Sequence, residues 1–123
     1  MDVLHTAIWV SDLNTTKAFY CDGVGLKFSR EFATDGVRNY FVKGENGVEI
    51  QFKYDSEHEV TVERDGVDHL AVGVDDVETT VGHLVDERGS EVLKPPTVLK
   101  KTGSTIAFVT DPDGYVLELV ESA

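Results

Sequence analysis

The chain has 123 residues, 41% of them apolar and 9% aromatic, which suits one globular domain with a packed core. Twenty-three Asp plus Glu against 11 Lys plus Arg give a formal net charge of −12, so nucleic acid and anionic membrane surfaces are poor partners. No apolar run approaches a membrane span and no charged-then-apolar leader opens the sequence, and the expectation is a cytoplasmic protein. The single cysteine, Cys21, agrees with a reducing compartment. The acids are spread along the chain, as at Asp75-Asp76 and Asp86-Glu87, giving a solvated coat of the kind that salt-loving organisms tolerate.

Residues 3 to 10, VLHTAIWV, read as a strand with His5, Ala7 and Trp9 on one face. Asp12 is the expected N-cap of a helix packing through Leu13, Thr16, Phe19 and Tyr20, with Gly23 or Gly25 ending it. Strands are expected from Leu26 to Phe32, from Val37 to Lys43 and over VEIQFKY, which opens at Val48. The acidic segment from Asp55 to Arg64 reads as an exposed connector, with His58 in solvent. The pattern then restarts. DHLAVGV is a strand carrying His69, Ala71 and Gly73 on one face, and Asp75-Asp76 starts a helix with Val77, Val81, Leu84 and Val85 at helical spacing. His83 lies on the flank of that helix, Gly89 closes it, and a short strand near Glu91 to Leu93 precedes a loop, PPTVLKKTGS. The last stretch, IAFVTDPDGYVLELVE, is a hairpin turned at Asp111-Pro112-Asp113-Gly114. Its return strand places Glu118 in mid-strand between Val116 and Val120, a carboxylate that burial would disfavour unless it were paired, protonated or bound to a metal.

An internal repeat ties these pieces together. At an offset of 64, Val3/Val67, His5/His69, Ala7/Ala71, Val10/Val74, Asp12/Asp76, Thr15/Thr79, Thr16/Thr80, Asp22/Asp86 and Gly25/Gly89 are identical. At an offset of 67, Phe41/Phe108, Val42/Val109 and Gly47/Gly114 are identical, and Gln51 corresponds to Glu118. The chain therefore reads as two βαβββ modules, about 1–55 and 65–123, within one domain of α+β class. Equivalence of the modules brings His5, Gln51, His69 and Glu118 to corresponding places, on faces where Ala7, Ala71 and Gly73 leave room. Two imidazoles, a carboxylate and an amide oxygen suit a borderline divalent metal such as Zn, Ni, Co, Fe or Mn. Glu49 shares a strand face with Gln51 and is the alternative oxygen donor, although the repeat register favours Gln51. Cys21 has no basic neighbour in sequence and is expected to be inert.

These residues resemble the vicinal oxygen chelate superfamily, which includes glyoxalase I, methylmalonyl-CoA epimerase, ring-cleaving dioxygenases and bleomycin-resistance proteins. The resemblance covers HTAIWVSDLNTTKAFYCDGVGL, DHLAVGVDDVETTVGHL and IAFVTDPDGYVLELVE, the last being especially close to bacterial glyoxalase I. It implies a curved, partly open mixed β-barrel with flanking helices, a metal held by His5, Gln51, His69 and Glu118, and Glu118 as the catalytic base of an isomerisation through an enolate. It further implies a small-molecule substrate, a hemithioacetal of methylglyoxal with a small thiol as co-substrate, and a homodimer. Two departures stand out: glutamine at 51 where bacterial glyoxalase I has glutamate, and Trp9 where it has a glutathione-holding arginine. Trp9, Lys100 and Lys101 are the candidate substrate-binding residues, the lysines as holders of an anionic substrate end. The alternatives are an epimerase-like isomerase, an Fe(II) extradiol-type dioxygenase using His5, His69 and Glu118, and a metal-free ligand-binding protein.

Overall fold

The computed structural model describes all residues from Met1 to Ala123 and divides between Thr61 and Val62 into two compact units. The first contains β1 (His5–Trp9), α1 (Leu13–Lys17) continued by a π-helical stretch (Ala18–Val24), β2 (Lys27–Thr34), β3 (Val37–Lys43) and β4 (Glu49–Tyr54). The second contains β5 (Leu70–Gly73), α2 (Val77–Arg88), β6 (Val92–Val98), β7 (Thr105–Thr110) and β8 (Val116–Glu121). Each unit is a βαβββ module with one four-stranded mixed sheet, ordered β1-β4-β3-β2 in the first and β5-β8-β7-β6 in the second. In both, the strand before the helix runs parallel to the last strand, and the other pairings are antiparallel. The class is α+β, as expected. No helix is long and apolar enough to cross a membrane.

Four of the nine identities at offset 64 are residues that start or stop the helices. Asp12 accepts from the Thr15 N–H at 2.9 Å, and Asp76 from the Thr79 N–H at 2.9 Å, which satisfies one orphan donor at each helix start. The Thr16 and Thr80 hydroxyls donate to the carbonyls of Asp12 and Asp76 at 2.9 and 2.8 Å. At the other end, the N–H groups of Gly25 and Leu26 both donate to the Tyr20 carbonyl, as those of Gly89 and Ser90 do to Leu84. That closure needs a left-handed residue, supplied by Gly25 at φ 98° and Gly89 at φ 69°.

Alternation on the strands then decides which face meets the helix. Ala107, Val109, Leu117 and Leu119 share one face of β7 and β8 and are fully buried beneath α2, whose Val77 and Leu84 are equally buried. Each such Leu contributes about 1.5–3 kcal/mol through burial. In the first unit Val42 and Phe52 are buried likewise, with the Tyr20 ring 4.8 Å from that of Phe52. The opposite faces carry His5, Ala7 and Gln51 in one unit, and His69, Ala71 and Glu118 in the other.

One element departs from expectation. The segment beginning Pro95-Pro96, read as a loop, is strand: β6 runs on through both prolines to Val98. It can do so because β6 is an edge strand, so the missing N–H groups break no ladder, and its register with β7 shifts twice, between Val92 and Lys94 and between Lys94 and Thr97.

Candidate metal centre

The four expected donors occupy equivalent sheet positions. Gln51 pairs across β4 with Ala7 on one side and Phe41 on the other, and Glu118 pairs across β8 with Ala71 and Phe108. His5 opens β1 and His69 immediately precedes β5, each with a phenylalanine edge-on: His5 to Phe41 at 5.5 Å and 89°, His69 to Phe108 at 5.3 Å and 88°. Ala7 and Ala71 are exposed, so the ground in front of Gln51 and Glu118 is open.

In the second unit the donors touch. His69 Nε2 lies 3.2 Å from Glu118 Oε1, and His69 Nδ1 lies 2.7 Å from Asp68 Oδ2. Both partners are carboxylates, which accept when ionised, so the two contacts favour the ring protonated on both nitrogens. The Asp68 hydrogen bond accordingly raises the His69 pKa, partial burial opposes it, and the Glu118 charge raises it further. Loss of the Nε2 proton leaves a neutral imidazole whose Nδ1–H stays on Asp68, the usual arrangement of a ligating histidine oriented by a carboxylate. Glu118 retains 17% side-chain exposure and is therefore reachable.

In the first unit Gln51 is 9% exposed and donates through Nε2 to Asn39 Oδ1 at 2.8 Å. Glu49, the alternative oxygen donor, is engaged elsewhere. It accepts from the Ser29 hydroxyl at 2.6 Å and from Arg30 Nε and Nη2 at 3.2 and 3.3 Å, and those bonds, Ser29 first, lower its pKa. Arg30 is itself laid over the Phe41 ring at 4.0 Å.

The donors therefore come as one pair per unit, and no group of three or more His, Cys, Asp or Glu side chains able to hold an ion occurs. By residue type each pair suits a borderline divalent cation: an imidazole with an amide whose nitrogen is already occupied in the first unit, and an imidazole with a carboxylate in the second. A cavity of about 290 Å³ in the second unit is lined by Asp76, Glu78, Pro96, Thr97, Val98, Thr105 and Glu121, and contains none of the four donors.

The remaining candidates are placed as follows. Trp9 shares the β1 face with His5, but one side of its ring is stacked on His58 at 3.8 Å and 16°, and Lys53 Nζ lies 5.3 Å from its centre. His58 was expected in solvent; it is exposed yet packed on Trp9. Lys100 and Lys101 are exposed in the turn between β6 and β7, where the Thr102 and Gly103 N–H groups donate to Leu99, and they form no ion pair. His83 Nδ1 lies 3.3 Å from Glu87 on α2. Burial and the neighbouring Asp22 push the Cys21 thiol up, which keeps it protonated and unreactive. Sequence reasoning missed Asp68 and Asn39. The Asp68-His69 dipeptide was a usable signal for the first, whereas nothing in the sequence pointed to the second.

A duplicated βαβββ module with a His at the head of each first strand and Gln or Glu on each last strand defines a class: the chain belongs to the Glyoxalase/Bleomycin resistance protein/Dioxygenase superfamily, whose profile matches residues 2–119. Among individual relatives, it is 35% identical to a "Probable lactoylglutathione lyase" of Synechocystis sp., over all of this chain and 97% of that protein. It is 32% identical to a lactoylglutathione lyase of Haemophilus influenzae, covering 99% of this chain and 93% of that one. Among solved structures, the trypanothione-dependent glyoxalase I of Leishmania major superposes with a TM-score of 0.84 at 27% identity, over 98% of this chain and 86% of that one.

Proposed function

We propose that the chain is a divalent-metal-dependent lyase of the glyoxalase I type, isomerising the hemithioacetal of methylglyoxal and a small thiol. The observation that supports this most directly is the Glu118–His69 pair: a reachable carboxylate in mid-strand, beside an imidazole oriented by Asp68. The names of the lyase relatives point the same way. His5 and Gln51 from the first kind of unit and His69 and Glu118 from the second are the metal ligands, with Ni, Co, Zn, Mn and Fe as the ions to test. Gln51 is preferred to Glu49 because Ser29 and Arg30 already occupy the Glu49 carboxylate. When bound, the ion supplies Lewis acidity that makes the substrate's carbon-bound proton removable.

Glu118 takes the proton from the carbon bearing sulfur and hydroxyl and returns it to the adjacent carbonyl carbon, while the hydroxyl proton passes to the former carbonyl oxygen, leaving a thioester of a 2-hydroxy acid. Gln51 has no basic oxygen and serves only as a ligand. Asp68 keeps the His69 ring in the tautomer that leaves Nε2 free. With Trp9 where the resemblance expects a glutathione-holding arginine, glutathione and smaller thiols are both candidate carriers.

Metal content of the purified and metal-reconstituted protein, together with turnover of methylglyoxal hemithioacetals of glutathione and of smaller thiols, tests the reading. One ion per site and turnover with at least one thiol is the expected result. Absence of binding with Ni, Co, Zn, Mn and Fe(II) alike would overturn it.

A further inference from the structure

Asn39 sits on β3 with 4% exposure, a buried polar side chain on the same face as Gln51. Its amide is fixed unambiguously. Nδ2 donates to the Val37 carbonyl at 3.2 Å and to the Phe32 carbonyl at 3.5 Å, and carbonyls can only accept. Oδ1 is therefore the atom turned toward β4, and the group it meets at 2.8 Å must be a donor, which settles Gln51 as presenting Nε2 there. An amide has two arms. With Nε2 committed to Asn39, the arm directed away from β3 is the carbonyl oxygen, and the strand on the other flank of β4 is β1, which carries His5.

We infer that Asn39 is a positioning residue that fixes the Gln51 amide with its oxygen outward as a ligand, and that it selects glutamine over glutamate at position 51. A carboxylate at 51 would set an oxygen against Asn39 Oδ1 with no proton between them. Flipping Asn39 to supply one would turn its own oxygen against the carbonyls of Val37 and Phe32, so either arrangement leaves buried acceptors facing each other. The second unit has no such constraint: the residue that pairs with β6 as Asn39 pairs with β2 is the apolar Ile106, and the position equivalent to 51 is the carboxylate Glu118. The difference between the two last strands thus follows from the strand beside each.

This assignment rests on the metal-site reading above, and a double-mutant cycle separates the two. Ni²⁺ affinity is measured by titration calorimetry for the wild type, Asn39→Leu, Gln51→Glu and the double variant, with thermal melts to verify folding. Asn39→Leu is expected to weaken Ni²⁺ binding about 10-fold or more in the Gln51 background, and to leave it unchanged or improved in the Gln51→Glu background, where it removes a repulsive acceptor. Asn39→Ser, too short to reach Gln51, should behave alike and serves if the leucine variant does not fold. Wild type that binds Ni²⁺, with equal losses from Asn39 replacement in both backgrounds, would mean a general structural role and overturn the positioning assignment alone. Wild type that binds no divalent ion would overturn the metal-site reading and the assignment with it.

Discussion

Replacing Glu118 by glutamine should slow turnover about a thousandfold while leaving fold and metal binding nearly intact, and the first unit supplies the control within the same molecule. Gln51 already occupies the equivalent register, between Ala7 and Phe41 as Glu118 lies between Ala71 and Phe108, so an amide of this size fits the position. The lost interaction is a 3.2 Å contact with a His69 side chain that is 32% exposed, and the amide oxygen can still accept from Nε2. Such a partly solvated pair contributes below about 1 kcal/mol. Removing a general base, by contrast, lowers turnover by about 10²- to 10⁴-fold, or about 3–5 kcal/mol of transition-state stabilisation. The assay is turnover of the hemithioacetal by metal-loaded protein, beside elemental analysis and a melting curve for both proteins. The expected variant melts near the wild type, holds its ion and turns over about a thousandfold more slowly. Turnover within about tenfold of the wild type at full metal occupancy would refute Glu118 as the base.

Further outcomes can be checked independently. His69 must lose its Nε2 proton to become a ligand, and its pKa is raised chiefly by Asp68, so Ni²⁺ uptake should fall as pH drops through that raised pKa; Asp68→Asn should move the midpoint of uptake to lower pH. The sign for stability is opposite: in metal-free protein the protonated ring stabilises the fold below the ordinary histidine pKa, and that contribution disappears as pH rises through the raised one, which melts of wild type and Asp68→Asn across that range would show. Phe52→Ala removes a fully buried ring 4.8 Å from Tyr20 and should cost about 3–5 kcal/mol in denaturant unfolding. Gly114→Ala meets nothing within 4 Å, so its cost comes from φ 94° alone, about 1–2 kcal/mol by the same measurement.

What could be read from the sequence was whatever local chemistry or the repeat encodes. The caps at Asp12 and Asp76, the stops at Gly25 and Gly89, and the turn at Asp111 to Gly114 are each set by residues adjacent in the chain, and all formed. The offset alone was enough to align Gln51 with Glu118, and the register confirms that alignment residue for residue. Interactions that need a known register were hidden. Asn39 meets Gln51 only because β3 and β4 pair so that Asn39 opposes Lys53 and Phe41 opposes Gln51, a diagonal that no spacing reveals. The capture of Glu49 by Arg30 likewise depends on residues two strands apart in the sheet. The strand through Pro95 and Pro96 was hidden for another reason: proline argues against a strand unless the strand is known to be an edge.

Those two prolines mark where the two copies of the module differ. β2 and β6 are equivalent outer strands, and β3 and β7 are equivalent partners sharing Phe-Val at Phe41-Val42 and Phe108-Val109. β2 keeps an unbroken register with β3 from Arg30 to Thr34. β6 lacks amide hydrogens at two consecutive positions of the corresponding run and needs its two register shifts to pair at all. The two copies therefore differ at the margin of the sheet, where β6 carries its two prolines, while the inner pairings of β3 with β4 and of β7 with β8 keep the same register.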